Sequence, residues 1–164
     1  MEITTDISLK GSEWTRALEK LSGIFKTRTN YSIFMLSLAI GIMYDKCIDN
    51  PSEEGEETKY VPRNVIQNND NGKLDFMFQA AILSTLTKSF SEDERLELAF
   101  GEKTDFNKIS FLTQFANYGV TILNEQIGDT EIETMENIKN FLFSTVEGRN
   151  LDIDALPDDI LLTD

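Results

Sequence analysis

Residues 31 to 43, YSIFMLSLAIGIM, constrain the fold more than any other stretch of this chain. Within residues 29 to 46, ten side chains are large and apolar, and they must be taken out of water. A bilayer span needs about twenty such residues, so a run of thirteen reads as a buried helix and excludes a membrane span. Thr29 or Asn30 is expected to cap its start, Met, Leu and Ala favour helix, and Ile33, Leu36, Ile40 and Met43 form one stripe that Phe34, Leu38 and Ile42 widen. Ser37, Ala39 and Gly41 are small enough to admit a close neighbour. The run is therefore expected to be the central and most buried helix of a bundle.

The rest of the chain supplies its cover. Ser12 is placed to cap a short helix ending near Leu21. Further helices are expected from Lys73 to about Phe90, from a Ser91-x-x-Glu94 capping box to Gly101, from about Phe106 to Glu125, and from a Thr130-x-x-Glu133 box to Gly148. Residues 47 to 72 carry Pro51, Gly55, Pro62 and Gly72 among acids and asparagines, which predicts an irregular acidic loop whose YVPRNVI segment packs back on the body. No convincing alternating strand stands out. The expected fold is an all-α, single-domain bundle of five to six helices over residues 1 to 148, followed by an acidic tail or docking segment over 149 to 164.

Composition bounds the chemistry. An apolar fraction of 40% with eleven Phe in 164 residues is enough for one core. The single Cys47 cannot close an internal disulfide, and the N-terminal residues lack a signal-peptide pattern, so a cytoplasmic setting is expected. The sequence contains no His, which removes the commonest general base and zinc ligand. The net charge of −14 is uneven: residues 1 to 48 balance six Lys and Arg against five Asp and Glu, whereas residues 122 to 164 set two against eleven. Such a field repels nucleic acid, leaving a local basic patch as its only route to direct binding. Lys20, Lys26 and Arg28, with Arg63 folding nearby, form the one candidate contact for an anion or acidic partner.

Chemical motifs are sparse. There is no phosphate-cradling GxxxxGK[ST] or GxGxxG. Glu57-Thr58-Lys59 matches half of a metal-dependent nuclease site, but such sites need a rigid strand and an upstream partner Asp, whereas this tripeptide follows Gly55 in an acidic loop, so a nuclease is the least favoured reading. The spacing of Asp152, Asp154, Asp158 and Asp159 does not fit an EF-hand. No catalytic, metal or cofactor site is expected. The last residues, NLDIDALPDDILLTD, have two readings: a frayed acidic terminus, or a segment that binds a partner or a second copy. In the second, Leu156, Ile160 and Leu161 enter an apolar groove while Asp152, Asp154, Asp158 and Asp159 face a basic rim.

The order GIFKTRTNYSIFMLSLAIGIMYDK, a polar segment with Pro, KLDFMFQAAILSTL and then FLTQFANYGVTILNEQI resembles the small accessory proteins that travel with bacterial DNA phosphorothioation (Dnd-type) and related antiphage defence systems. The resemblance covers residues 15 to 128 and rests on Phe25, Thr27, Ile40, Gly41, Ala116, Asn117 and Gly119. It implies a non-enzymatic adaptor of a prokaryotic defence complex, with a larger ATPase or nuclease as partner. The alternative is an acidic DNA mimic of phage type that blocks a nucleic-acid-binding enzyme, although here the carboxylates gather in the loop and tail and do not line a helical face.

Overall fold

A computed structural model describes residues 3–49, 57–101 and 105–147, without the side chains of Val146 and Glu147. The chain is mostly helical, broadly all-α, and divides into two compact units, residues 1–125 and 126–164. Among the described residues the first unit contains β1 (Ile7–Lys10), α1 (Ser12–Leu21), α2 (Thr29–Tyr44), β2 (Thr58–Val61), α3 (Arg63–Asn69), α4 (Lys73–Ser84), α5 (Glu92–Phe100) and α6 (Lys108–Glu125). The second contains α7 (Glu131–Glu147).

The apolar run is α2, packed against α6 along most of its length. The two backbones meet at glycines. A Cβ built on Gly41 would lie 1.9 Å from the Phe115 carbonyl oxygen, and one on Gly119 would lie 1.7 Å from that of Ser37. Side chains beside this crossing fill the core: Ile33, Phe34 and Leu38 from α2, with Leu112, Ala116, Val120 and Leu123 from α6, are fully buried.

Polar groups fix how α1 docks on this pair. Trp14 is fully buried, stacks on Phe34 and donates its Nε1–H to Asn117 Oδ1 at 2.9 Å. Asn117 Nδ2 then donates to the Ile48 carbonyl at 3.1 Å. One heptad later, Asn124 Nδ2 donates to the Glu13 carbonyl at 2.9 Å and to its carboxylate at 2.6 Å. Two asparagines on one face of α6 thus hold the first turn of α1 in register, because buried amides find their partners in one arrangement only.

Several local expectations are corrected. β1 and β2 pair antiparallel, with Ile7 opposite Val61 and Leu9 opposite Lys59. The strand signal in ISLK is only four residues long, but Ile7 and Leu9 face the core while Ser8 and Lys10 face water. The segment after residue 56 is ordered: it holds β2 and α3, and Val61 and Ile66 are fully buried, so YVPRNVI does pack back. α1 is preceded by Gly11 at φ 107°, making Ser12 its first helical residue. α2 is preceded by Arg28 in the left-handed region at φ 59°, and the Thr29 hydroxyl turns back to the Phe25 carbonyl at 2.5 Å. The capping box at Ser91 and Glu94 forms as expected.

α4 stops at Ser84, short of Phe90, and the reason lies at the end of α2. Asp45 ends α2 in a left-handed conformation at φ 50°. Its carboxylate accepts from the Thr85 hydroxyl at 2.5 Å, the Leu86 amide at 2.7 Å and the Thr87 amide at 3.0 Å, while its carbonyl accepts from the Thr87 hydroxyl. Burial works to raise the Asp45 pKa, but these donors prevail and hold it below the usual carboxylate value. From the other side, Arg95 donates to the carbonyls of Ile82, at 2.8 Å, Phe90 and Lys88. A carboxylate on the amides and a guanidinium on the carbonyls satisfy the backbone that the shortened helix leaves open.

Tyr31 ties α2 to the start of α4 by donating to Asp70 Oδ1 at 3.1 Å, and the same oxygen accepts from the Leu74 amide at 3.0 Å. Burial, reinforced by the Asp70 charge and hydrogen bond and only partly opposed by Arg28, pushes the phenol up to about 12. A phenol whose folded pKa exceeds its unfolded value contributes stability that is complete below pH 10 and lost as pH rises from 10 towards 12. Tyr31→Phe is expected to cost about 1 kcal/mol at neutral pH and to flatten that alkaline loss, as read by urea denaturation at pH 7, 10 and 11. Parallel stability curves for both proteins across this range would refute the assignment.

Candidate docking surface

α4 and α5 form an antiparallel hairpin whose register is set by Gln79 Nε2, which donates to the Ala99 carbonyl at 3.2 Å, and by Arg95 on the Ile82 carbonyl. One side of the hairpin faces inward through Phe78, Ile82, Leu98 and Ala99. Phe78 joins a ring cluster with Phe90, Phe106, Phe111 and Phe115 at centroid spacings of 5.2 to 6.4 Å.

The opposite side is apolar too. On α4, Phe76 and Leu83 lie within about 60° of the seam residue Gln79 by the 100° helical step, turned away from Phe78 and Ile82. On α5, Leu96 and Phe100 each follow a seam residue, Arg95 or Ala99, by one such step. Because the helices run antiparallel, both pairs emerge on the same face. Phe76 is 67% exposed, Phe100 66%, Leu96 48% and Leu83 40%, and Leu86 at the hairpin tip is 87% exposed. The uncovered apolar area is on the order of 500 Å², at the upper end of what a lone soluble domain shows. Sequence reasoning missed this face because hydrophobicity marks core and interface alike; the signal lay in Leu96 and Phe100, which sit on the flank of α5 away from Leu98. In the second unit, Ile132, Met135 and Phe143 of α7 are also more than half exposed.

The residues proposed to meet an anion, Lys20, Lys26, Arg28 and Arg63, all belong to the first unit. Lys20 lies one turn after Arg16 on α1, where both line a 360 Å³ recess with Ser12, Thr15, Glu19 and Glu57. Lys26 is in the connection after α1. Arg28 precedes α2 and acts on Tyr31. Arg63 opens α3: its amide donates to Asp6 Oδ1 at 2.7 Å and its guanidinium to the Thr4 carbonyl at 3.2 Å, so it staples the N-terminal segment. Asp152, Asp154, Leu156, Asp158, Asp159, Ile160 and Leu161 lie outside the described residues.

Lys59 sits on β2 rather than in a loop, and its Nζ is 2.8 Å from Glu57 Oε1. Among the described residues no group of three or more Cys, Asp or Glu side chains is gathered as metal ligands. Cys47 is half-buried, and burial, against the opposing charge of Lys88 and with that of Asp45 and Asp49, pushes its thiol up to about 11. Such a thiol is almost entirely protonated at neutral pH and is a poor nucleophile. A cleft of 710 Å³ lies between the β1 segment and the first turns of α6, with Thr5, Ser8, Asn107, Ser110 and Thr113 in its walls. Asn107 caps α6 through the Ser110 amide at 2.9 Å, and Lys108 points to Asp75 and over the Phe78 ring, so its strongest groups are engaged in the fold. No helix among the described residues is long and apolar enough to cross a membrane. No protein-family model, curated protein or solved structure matches this chain.

Proposed function

We propose that this chain is a non-enzymatic protein-interaction subunit that engages its partner through the outer face of the α4–α5 hairpin. The observation that carries the reading is the set of four large apolar side chains, Phe76, Leu83, Leu96 and Phe100, left at 40 to 67% exposure on one face of the hairpin, with Leu86 87% exposed at its tip. The hairpin beneath them is held by Asp45, Gln79 and Arg95, so the face is pre-organised and loses little entropy on binding. A sequence with no His adds weight against hydrolytic or metal chemistry. The Dnd-type resemblance supplies the setting: an adaptor beside a larger ATPase or nuclease in a prokaryotic antiphage complex.

The test is affinity capture from cells of the source, comparing the natural protein with Phe76→Ser/Phe100→Ser. Both rings are about two-thirds exposed, so the variant is expected to keep its melting temperature within about 2 °C while losing its stoichiometric partner. Recovery of the same partner in the same amount by a folded variant would overturn the reading, as would substrate turnover by the purified protein.

A further inference from the structure

Among the described residues, the cations on or beside the α4–α5 hairpin each have a partner within the fold. Lys73 Nζ reaches the Asn69 carbonyl at 3.4 Å, Lys88 pairs with Asp49 at 3.3 Å, and Arg95 is spent on three carbonyls. Lys108 is 3.7 Å from Asp75. The carboxylates of α5 behave differently. Glu92, Asp93 and Glu97 are exposed and pair with no cation among the described residues. Glu92 and Asp93 stand four and three residues before Leu96, and Glu97 stands three before Phe100, so by helical geometry they border the apolar face. The face is therefore an apolar strip with an acidic margin along α5, and among the described residues the cations near it, the exposed Lys73 included, have partners within the fold.

We propose that this face receives a cationic amphipathic helix from a different protein, with aliphatic or aromatic anchors laid along the α4–α5 seam and Lys or Arg side chains meeting Glu92, Asp93 and Glu97. This inference rests on the docking reading above. Charge selects the occupant. A second copy, carrying a net charge of −14, would set the same carboxylates against each other. The chain's own C-terminal segment, with Asp152, Asp154, Asp158 and Asp159, would do likewise. Shape selects a helix. Phe76 and Leu83 are seven residues apart on α4, about 10 Å along its axis, which matches anchors at i, i+3 or i+4, and i+7 of a helix lying in a shallow two-helix groove.

The experiment is selection of binders to the full chain from a displayed library of helix-forming peptides with randomised faces, followed by affinity measurement on synthesised winners. The expected winners combine Leu or Phe anchors with flanking Lys or Arg. Their Kd should rise at least tenfold on Phe76→Ser or Phe100→Ser, and three- to tenfold on Glu92→Gln/Asp93→Asn/Glu97→Gln or on raising salt from 50 to 500 mM. Winners that depend on Phe76 and Phe100 but ignore the triple substitution and salt would overturn the cationic occupant while leaving the docking face standing. Failure to obtain any binder sensitive to Phe76 or Phe100 would overturn both. A chain that is dimeric in solution and becomes monomeric on Phe100→Ser would identify a second copy as the occupant and end the proposal.

Discussion

Gly119→Ala is expected to destabilise the protein by about 3 kcal/mol or more, and Gly41→Ala by a similar amount, although each substitution replaces a poor helix former with the best one. In an ordinary helix the change would gain roughly 1 kcal/mol. Here the new methyl would meet backbone, 1.7 Å from the Ser37 carbonyl oxygen for Gly119 and 1.9 Å from that of Phe115 for Gly41. A carbonyl inside a helix cannot rotate aside as a side chain can, so relief requires α2 and α6 to move apart by about 1.5 Å, loosening the packing of Phe34, Leu38, Leu112 and Val120 on both sides. Urea denaturation would show the midpoint falling with little change in slope. An unchanged or higher midpoint would mean that the helices do not cross on these two glycines.

Asn117→Leu is the second large effect, expected at about 2 to 4 kcal/mol despite the added apolar volume. It strands two groups at once: the indole N–H of the fully buried Trp14 and the Ile48 carbonyl. A donor left unpaired in the core costs more than its hydrogen bond contributed. The effect is separable, because Trp14→Phe removes the indole donor before Asn117 is changed. In a double-mutant cycle the two substitutions should be less than additive by roughly 1 kcal/mol. Strict additivity would show that the indole and the amide do not interact.

The sequence was legible where local pattern and burial coincide. α1, α2, α5 and α6 fall close to their expected limits, and the Ser91 capping box is present with both of its hydrogen bonds. The face of α2 was less legible. Its side chains are apolar nearly all round, so periodicity offers no preferred direction; a stripe drawn through Ile33, Leu36, Ile40 and Met43 leaves Leu36 and Met43 only half-buried, whereas of the three small residues Ser37 and Gly41 meet α6 and Ala39 faces water. Sequence alone ranks residues by how much they gain from burial, and a glycine at a helix crossing is buried because it gets out of the way.

Long-range pairing explains the other differences. Nothing near Thr85 announces that α4 must stop there, because the carboxylate that stops it, Asp45, lies forty residues earlier. β1 similarly needs a partner some fifty residues away, and four residues of alternation cannot declare that such a partner exists. The docking face was hidden for a different reason: hydrophobicity marks both a core and an interface, and only the position of Leu98 and Ala99 beneath the hairpin shows that Leu96 and Phe100 are turned the other way.

The crossing of α2 and α6 also sets an order of events during synthesis. The most apolar helix of the chain is covered by one that begins more than sixty residues later, and Gly119 follows Gly41 by about eighty. At a ribosomal rate of roughly 5 to 20 residues per second, the ridge of Ser37 and Gly41 waits on the order of 4 to 16 s before its partner has even been made. During that interval α2 can hold only provisional contacts with α1 and then β2, which makes the nascent chain a natural client for chaperones that shield exposed apolar helices.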